Sequence, residues 1–126
     1  MTQHMAQARI AAKSAHILLA MDDTNGAINR AYYAMYNAAK AALAHIDENL
    51  AVAKTHATII RRFGRHVLVE HGLDRSLGRN LNSTEELRIA ADYDSDTVDV
   101  SVARAVLGRM DDFIDTVEGF ISGTTT

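Results

Sequence analysis

Cations, phenols and imidazoles recur in three short segments that together could bind a phosphate group. These segments are residues 30–36 (RAYYAMY), 54–56 (KTH) and 88–93 (RIAADY), and the first of them holds three of the four tyrosines. An arginine can hold a phosphate through paired hydrogen bonds, and a histidine can exchange a proton near neutral pH. We predict a polar cleft that binds a nucleotide or an RNA phosphate, lined by Arg30, Tyr33, Lys54, His56, Arg88, Asp92 and Tyr93.

The same residues have a purely structural interpretation. Arg88 and Asp92 are four residues apart on a predicted helix, where an ion pair contributes a few tenths of a kcal/mol. For Tyr32 we predict core packing rather than a role in the cleft. A helical interaction module with a structural polar cluster is therefore one alternative function.

A second set of residues lies on the predicted third helix. It combines two arginines with two histidines, the minimum set for metal-independent cleavage of RNA through its own 2'-hydroxyl. The alternative is that these residues form a solvated face of the helix. As weak catalytic candidates the sequence offers Arg61, Arg65, His66 and His71.

Composition excludes several classes of site. The chain has no cysteine, and none of its glycines forms a phosphate-binding loop. Its six histidines contain no HExxH pair, and His66 and His71 lie about 140° apart around a helix. We therefore predict no metal and no cofactor. The absence of a long apolar stretch predicts a cytoplasmic protein that does not enter the membrane.

Charge is distributed unevenly along the 126 residues, although the net charge is only -3. Residues 54–83 hold six cations against two carboxylates, whereas residues 84–126 hold three arginines against ten carboxylates. The basic segment could face a phosphate-bearing ligand, or the two segments could attract each other.

The pattern of apolar residues predicts an all-α fold, and the absence of proline allows long helices. Residues 22–26 read as a break with an N-cap, Gly72 as a C-cap, and residues 83–86 (STEE) as a capping box. The predicted architecture is an up-and-down antiparallel four-helix bundle with a short additional helix, in a single domain over residues 1–126. The predicted helices are 2–21, 24–46, 52–71, a short one over 83–93 after a connector at 73–82, and 101–121.

These motifs, taken in order, resemble the HEPN domain (higher eukaryotes and prokaryotes nucleotide-binding) in its small prokaryotic form. The resemblance also includes residues 87–88 (LR) and 113–114 (FI) and covers nearly the whole chain. It implies a helical bundle that forms a homodimer and pairs with a minimal nucleotidyltransferase. In many members it implies a metal-independent RNase or toxin with an R-x4-6-H motif.

The arginine of that motif best matches Arg88, but Asp92 and Tyr93 stand where its histidine would be needed. An aspartate is ionised near pH 7 and does not readily donate a proton. We therefore predict a nucleotide- or RNA-binding partner of a minimal nucleotidyltransferase in a toxin–antitoxin-like or defence pair. The alternatives are a metal-independent endoribonuclease toxin, using the arginines and histidines of the third helix, and the structural interaction module.

Overall fold

A computed structural model of the chain describes residues 2–93 and 97–123. No strand occurs in these two ranges, which confirms the predicted all-α fold. A 3-10 turn at Glu48–Ala51 precedes the third helix, and a π-helical turn at Phe63–Val69 continues it. The helices are α1 (Thr2–Ala20), α2 (Thr24–Ile46), α3 (His56–Arg62), α4 (Ser76–Tyr93) and α5 (Val100–Ser122).

The break between α1 and α2 is formed as predicted. Asp22 adopts a left-handed conformation with φ of 64°, which turns the chain. Asp23 then caps α2, because its carboxylate accepts a hydrogen bond of 2.8 Å from the backbone N–H of Gly26. A Cβ at position 26 would collide with that carboxylate, so any other residue there requires the Asp23 side chain to shift.

Helix α2 is the centre of the fold and contacts the other four helices. Its alanines let neighbouring helices approach closely, and most of them are buried. On the side of α5, the rings of Phe63 and Phe113 stack with centroids 5.3 Å apart. Tyr32 is fully buried, so its hydroxyl group needs partners inside the protein.

The boundaries of α3 and α4 differ from the prediction: α3 is shorter than predicted and α4 is longer. Helix α3 is short because the 3-10 turn occupies the preceding residues and Thr55 caps the helix. The hydroxyl oxygen of Thr55 accepts a hydrogen bond of 3.2 Å from the backbone N–H of Thr58. Helix α4 is long because it begins at Ser76, whose backbone N–H donates a hydrogen bond of 2.9 Å to the carboxylate of Asp74.

The predicted start at residue 83 was wrong. The hydroxyls of Ser83 and Thr84 donate hydrogen bonds of 3.2 and 2.7 Å to the backbone carbonyl of Asn80. Both residues therefore lie within α4 and do not cap its start. The fold is thus four long helices, α1, α2, α4 and α5, with α3 as the short additional helix.

None of the helices in the described residues combines the length and the hydropathy needed to cross a bilayer. The single-domain organisation over residues 1–126 stays a prediction.

Candidate functional site

The hydroxyl of Tyr32 joins three helices. It donates a hydrogen bond of 3.0 Å to Oε2 of Glu85 on α4 and lies 3.0 Å from Nδ1 of His56 on α3. Burial, and next the hydrogen bond to Glu85, raise the pKa of Tyr32, which therefore stays protonated. The site is thus built on a neutral phenol at the place where α2, α3 and α4 meet.

Aromatic rings surround the imidazole of His56. Its centroid is 4.1 Å from that of Tyr36 and 5.8 Å from each of Tyr32 and Tyr33. Tyr32 and Tyr36 are four residues apart and therefore share a face of α2, with Tyr33 on the adjoining face. We call Tyr32, Tyr33, Tyr36 and His56 the ring cluster.

The start of α3 is fixed independently of the rings, and this fixes His56, the first residue of the helix. Arg62, one and a half turns later, donates 3.0 Å to the carbonyl of Leu50 and 2.9 Å to that of Val52. These bonds tie α3 to the loop that precedes it. These hydrogen bonds therefore hold in place the helix that carries the imidazole.

Three cations lie over the rings. The guanidinium carbon of Arg88 is 4.8 Å from the ring centroid of Tyr32 and 5.7 Å from that of Tyr33. Arg30 lies 5.1 Å from the centroid of Tyr33, and the Lys40 ammonium 5.6 Å from that of Tyr36. Cation–π contacts of this kind hold the charges in place while leaving hydrogen-bond donors free.

The side chain of Arg88 is largely buried and makes few hydrogen bonds. Its side chain is 17% exposed, and its only ion pair in the described residues is with Asp92, at 3.4 Å. Its Nε is buried and has no hydrogen-bond partner. The terminal guanidinium nitrogens make one hydrogen bond within the described residues, from Nη1 to Asp92 at 3.4 Å, so they can still donate to an anion.

His56 is neutral near pH 7. Burial is the main cause of its lowered pKa, and the positive charge of Arg88 is the next. A neutral imidazole can accept a proton, whereas a charged one cannot.

Two cavities lie along α2, each lined in part by residues of α1. One of about 280 Å³ is lined by Arg30 and Tyr33 together with residues of α1. The other, of about 510 Å³, is lined by Lys40, His4 and residues of the 3-10 turn. Each cavity thus includes a cation that also contacts the rings.

The structure brings four of the seven predicted cleft residues together: Arg30, Tyr33, His56 and Arg88. Asp92 reaches them through its ion pair with Arg88. Lys54 is exposed and makes no hydrogen bond, ion pair or ring contact within the described ranges. Tyr93 is 89% exposed at the end of α4 and likewise makes no contact with the ring cluster.

Sequence reasoning missed Tyr36, Lys40 and Glu85, and it gave Tyr32 only a packing role. Tyr32, Tyr36 and Lys40 follow one another at intervals of four residues, which would have placed all three on one face of α2. Glu85 precedes Arg88 by three residues on α4 and so faces the same way. The spacing thus shows which residues share a helix face, but nothing in the sequence shows which element packs against that face.

The weak catalytic candidates lie apart from the ring cluster. His66 and Arg65 both pair with Glu70, at 2.8 and 3.9 Å. Nδ1 of His71 lies 2.8 Å from the carbonyl oxygen of His66, and the His71 ring packs against Phe120 with centroids 5.4 Å apart. Arg61 is exposed on α3. One carboxylate thus offsets the charges of this segment, and no group of three metal-ligating side chains occurs in the described residues.

Two curated proteins resemble this chain over part of its length. One, from Methanocaldococcus jannaschii, is named "Putative toxin MJ0605" and is 33% identical over 92 residues, 73% of this chain and 66% of that protein. The other, UPF0332 protein glr0978 from Gloeobacter violaceus, is 35% identical over 66 residues, 52% of this chain and 50% of its own length. The chain therefore matches less than two thirds of either relative.

A family model described as the HEPN domain matches residues 1–120, nearly the entire chain. The helical fold and the order of the motifs agree with this match, and the chain belongs to the HEPN family.

Proposed function

We propose that this HEPN protein binds RNA or a nucleotide through a phosphate group at the ring cluster, with Arg88 as the central cation. The observation that carries the proposal is the state of Arg88: its guanidinium lies over two tyrosine rings, and its terminal nitrogens make one hydrogen bond within the described residues, to Asp92. A phosphate oxygen is a strong acceptor that would pair with these nitrogens and neutralise the charge.

The neighbouring rings suit a nucleotide better than a free phosphate ion. Tyr33 and His56 are partly exposed, while Tyr32 and Tyr36 are buried. A base could therefore stack on one of these two accessible rings, whose planes are 84° apart, while its phosphate reaches Arg88. Arg30, over Tyr33, would contact the adjacent phosphate.

The protein would act as the partner of a minimal nucleotidyltransferase in a toxin–antitoxin-like or defence pair. The relative named as a toxin supports this role, and so does membership of the HEPN family. Co-expression with the product of the neighbouring reading frame, followed by affinity purification of either chain, tests it, and the proposal expects that product to be a minimal nucleotidyltransferase. Separate elution of the two chains would contradict the partnership.

Calorimetric titration with a short single-stranded RNA tests the binding site. Arg88→Gln should weaken binding by about tenfold or more, because a charge-assisted hydrogen bond contributes about 1.5–3 kcal/mol. Arg79→Gln is the matched control, since residue 79 is exposed on the same helix and nine residues away, on the opposite face. Equal affinities of the wild type and Arg88→Gln would exclude the proposed site.

A metal-independent endoribonuclease is the second candidate function. What favours it is that His56, on a different helix, lies against the same two tyrosines as Arg88. A base and a phosphate-binding cation are then neighbours although no histidine follows Arg88 in the sequence. Incubation of labelled RNA in EDTA should give cleavage that His56→Ala abolishes; loss of cleavage in His66→Ala instead would place the activity on the π-helical turn.

A further inference from the structure

The hydrogen bonds of the Tyr32 hydroxyl have a definite direction. An ionised carboxylate can only accept, so the single phenol proton is donated to Glu85. The phenol oxygen then presents lone pairs to Nδ1 of His56, 3.0 Å away. A favourable contact requires that Nδ1 carry the imidazole proton, and the second ring nitrogen, Nε2, is left with a free lone pair.

We propose that Glu85 and Tyr32 are positioning residues that hold His56 in the Nδ1–H tautomer, so that Nε2 accepts the proton of a ribose 2'-hydroxyl next to a phosphate bound by Arg88. This inference rests on the phosphate site and on the endoribonuclease activity proposed above, and it assigns the residues that position the catalytic base. It supplies from α3 the histidine that the sequence after Arg88 lacks.

The protonation states agree with this assignment. Tyr32 does not ionise near neutral pH, because burial and the Glu85 hydrogen bond raise its pKa. His56 is available as a base, because burial and the charge of Arg88 lower its pKa. The packed face of Tyr36, 4.1 Å from the imidazole centroid, restrains rotation of the ring.

The reaction is an internal transesterification. The 2'-oxygen attacks phosphorus as its proton passes to Nε2, the bond from phosphorus to the 5'-oxygen breaks, and water gives a proton to that oxygen. The hydroxide left by this water then takes the proton from Nε2, which restores the neutral imidazole. Arg88 balances the negative charge on the phosphoryl oxygens. The products are a 2',3'-cyclic phosphate and a 5'-hydroxyl, so the step needs no redox partner.

The tautomer can be measured directly by two-bond ¹H–¹⁵N correlation spectra of the His56 ring. The wild type should show protonated Nδ1 and unprotonated Nε2. In Glu85→Met the phenol loses its carboxylate acceptor and turns its proton to Nδ1, so the imidazole proton should move to Nε2. Glu86→Met is the matched control, because residue 86 is exposed and adjacent in sequence.

Activity and affinity are measured on the same variants in EDTA. Glu85→Met and Tyr32→Phe should slow RNA cleavage by about 10- to 100-fold, a part of the 10²–10⁴-fold that a positioned base contributes. In Glu85→Met, affinity for the same strand with deoxyribose at the cleaved position should be retained or rise, since Arg88 is kept and a negative charge beside the phosphate is removed. Because Glu85 is partly exposed, its replacement tests the inference even if Tyr32→Phe fails to fold.

The outcomes separate this inference from the proposed function. Protonated Nε2 in the wild type, or undiminished cleavage by folded Glu85→Met, would overturn the assigned base. Binding of the deoxy-substituted strand without any cleavage of RNA by the wild type would also overturn it, while the phosphate site would stand. Absence of binding would overturn both.

Discussion

His56 lies between charges of opposite sign, so its titration is a direct measure of the site. Arg88 and Lys40 lower its pKa, burial lowers it further, and Glu85 raises it. Tyr32, Tyr33 and Tyr36 face the imidazole as neutral rings. The proton affinity of this histidine is therefore set by residues of α2 and α4, and each can be tested alone.

Replacing a neighbouring charge should shift the His56 pKa in a direction that the structure fixes. Arg88→Gln should raise it toward the ordinary value of 6.5, and Glu85→Gln should lower it further. NMR titration of the His56 ring protons measures both shifts. Arg79→Gln, on the far face of α4, should leave the titration unchanged. Shifts of the same sign in the two variants would refute the geometry.

The lowered pKa of His56 also makes stability depend on pH. The folded state binds this proton less readily than the unfolded state, where the ordinary value of 6.5 applies. As pH falls below about 6.5, the unfolded state takes up more protons and the free energy of unfolding decreases, until the pH is below the folded-state pKa.

Urea unfolding followed by circular dichroism between pH 7 and 5.5 should show this loss. In His56→Asn the dependence should be shallower, although His4, whose pKa is also lowered by burial, still contributes in the same direction. Identical slopes for the wild type and His56→Asn would show that His56 is not desolvated in the folded protein.

At the scale of residues, sequence reasoning selected Arg30, Tyr33, His56 and Arg88, because their chemistry suits a phosphate. It could not select Glu85, because a carboxylate repels such a ligand and the sequence does not show its hydrogen bond to Tyr32. Lys54 and Tyr93 were selected on the same chemical grounds, but the turn before α3 and the end of α4 leave them outside the ring cluster.

At the scale of elements, helix ends explain which boundaries were predictable. The break before α2 is encoded locally, since Asp23 and Gly26 form their hydrogen bond within four residues. The capping box at residue 83 was misleading, because the same hydroxyl can bond to a carbonyl within a helix. The π-helical turn at Phe63–Val69 has no local sequence signal that we recognise.

The Asp23 cap makes a prediction about Gly26. Gly26→Ala should reduce the free energy of unfolding by about 1 kcal/mol, because the new Cβ displaces the carboxylate that caps α2. In an Asp23→Ala background the same change should instead stabilise by about 0.5–1 kcal/mol, as alanine is the better helix residue. Chemical denaturation of the four proteins closes the cycle.

Gly108→Ala on α5 is the matched control for this cycle. A Cβ at residue 108 meets nothing within 4 Å, so the substitution should be stabilising in any background. Additive effects at residues 23 and 26 would contradict the collision on which the prediction depends.

At the scale of the whole molecule, α2 is covered by its neighbours while α1 retains an exposed apolar row. Ile10, Ile17 and Met21 are 67%, 50% and 72% exposed. A spacing of seven residues places Ile10 and Ile17 on one face of α1, and Met21, in the turn that follows the helix, continues the row. The homodimer that the family resemblance implies stays a prediction, and we propose this row as its interface, because an apolar row on a surface helix is typical of a protein interface.

Light scattering coupled to size-exclusion chromatography tests whether this apolar row forms a dimer interface. Ile17→Lys should convert a dimer of the wild type to a monomer, since it buries a charge at the centre of the interface. Val69→Lys, at another exposed apolar position, should leave the molar mass unchanged. A monomeric wild type would exclude the homodimer at the concentrations used.

The placement of the tyrosines also gives the protein a built-in optical reporter. The chain has no tryptophan and four tyrosines, of which three belong to the ring cluster and the fourth, Tyr93, is 89% exposed. In Tyr93→Phe, all remaining phenol fluorescence would arise beside Arg88 and His56. Quenching of that emission would then register the arrival of a nucleobase without any attached dye.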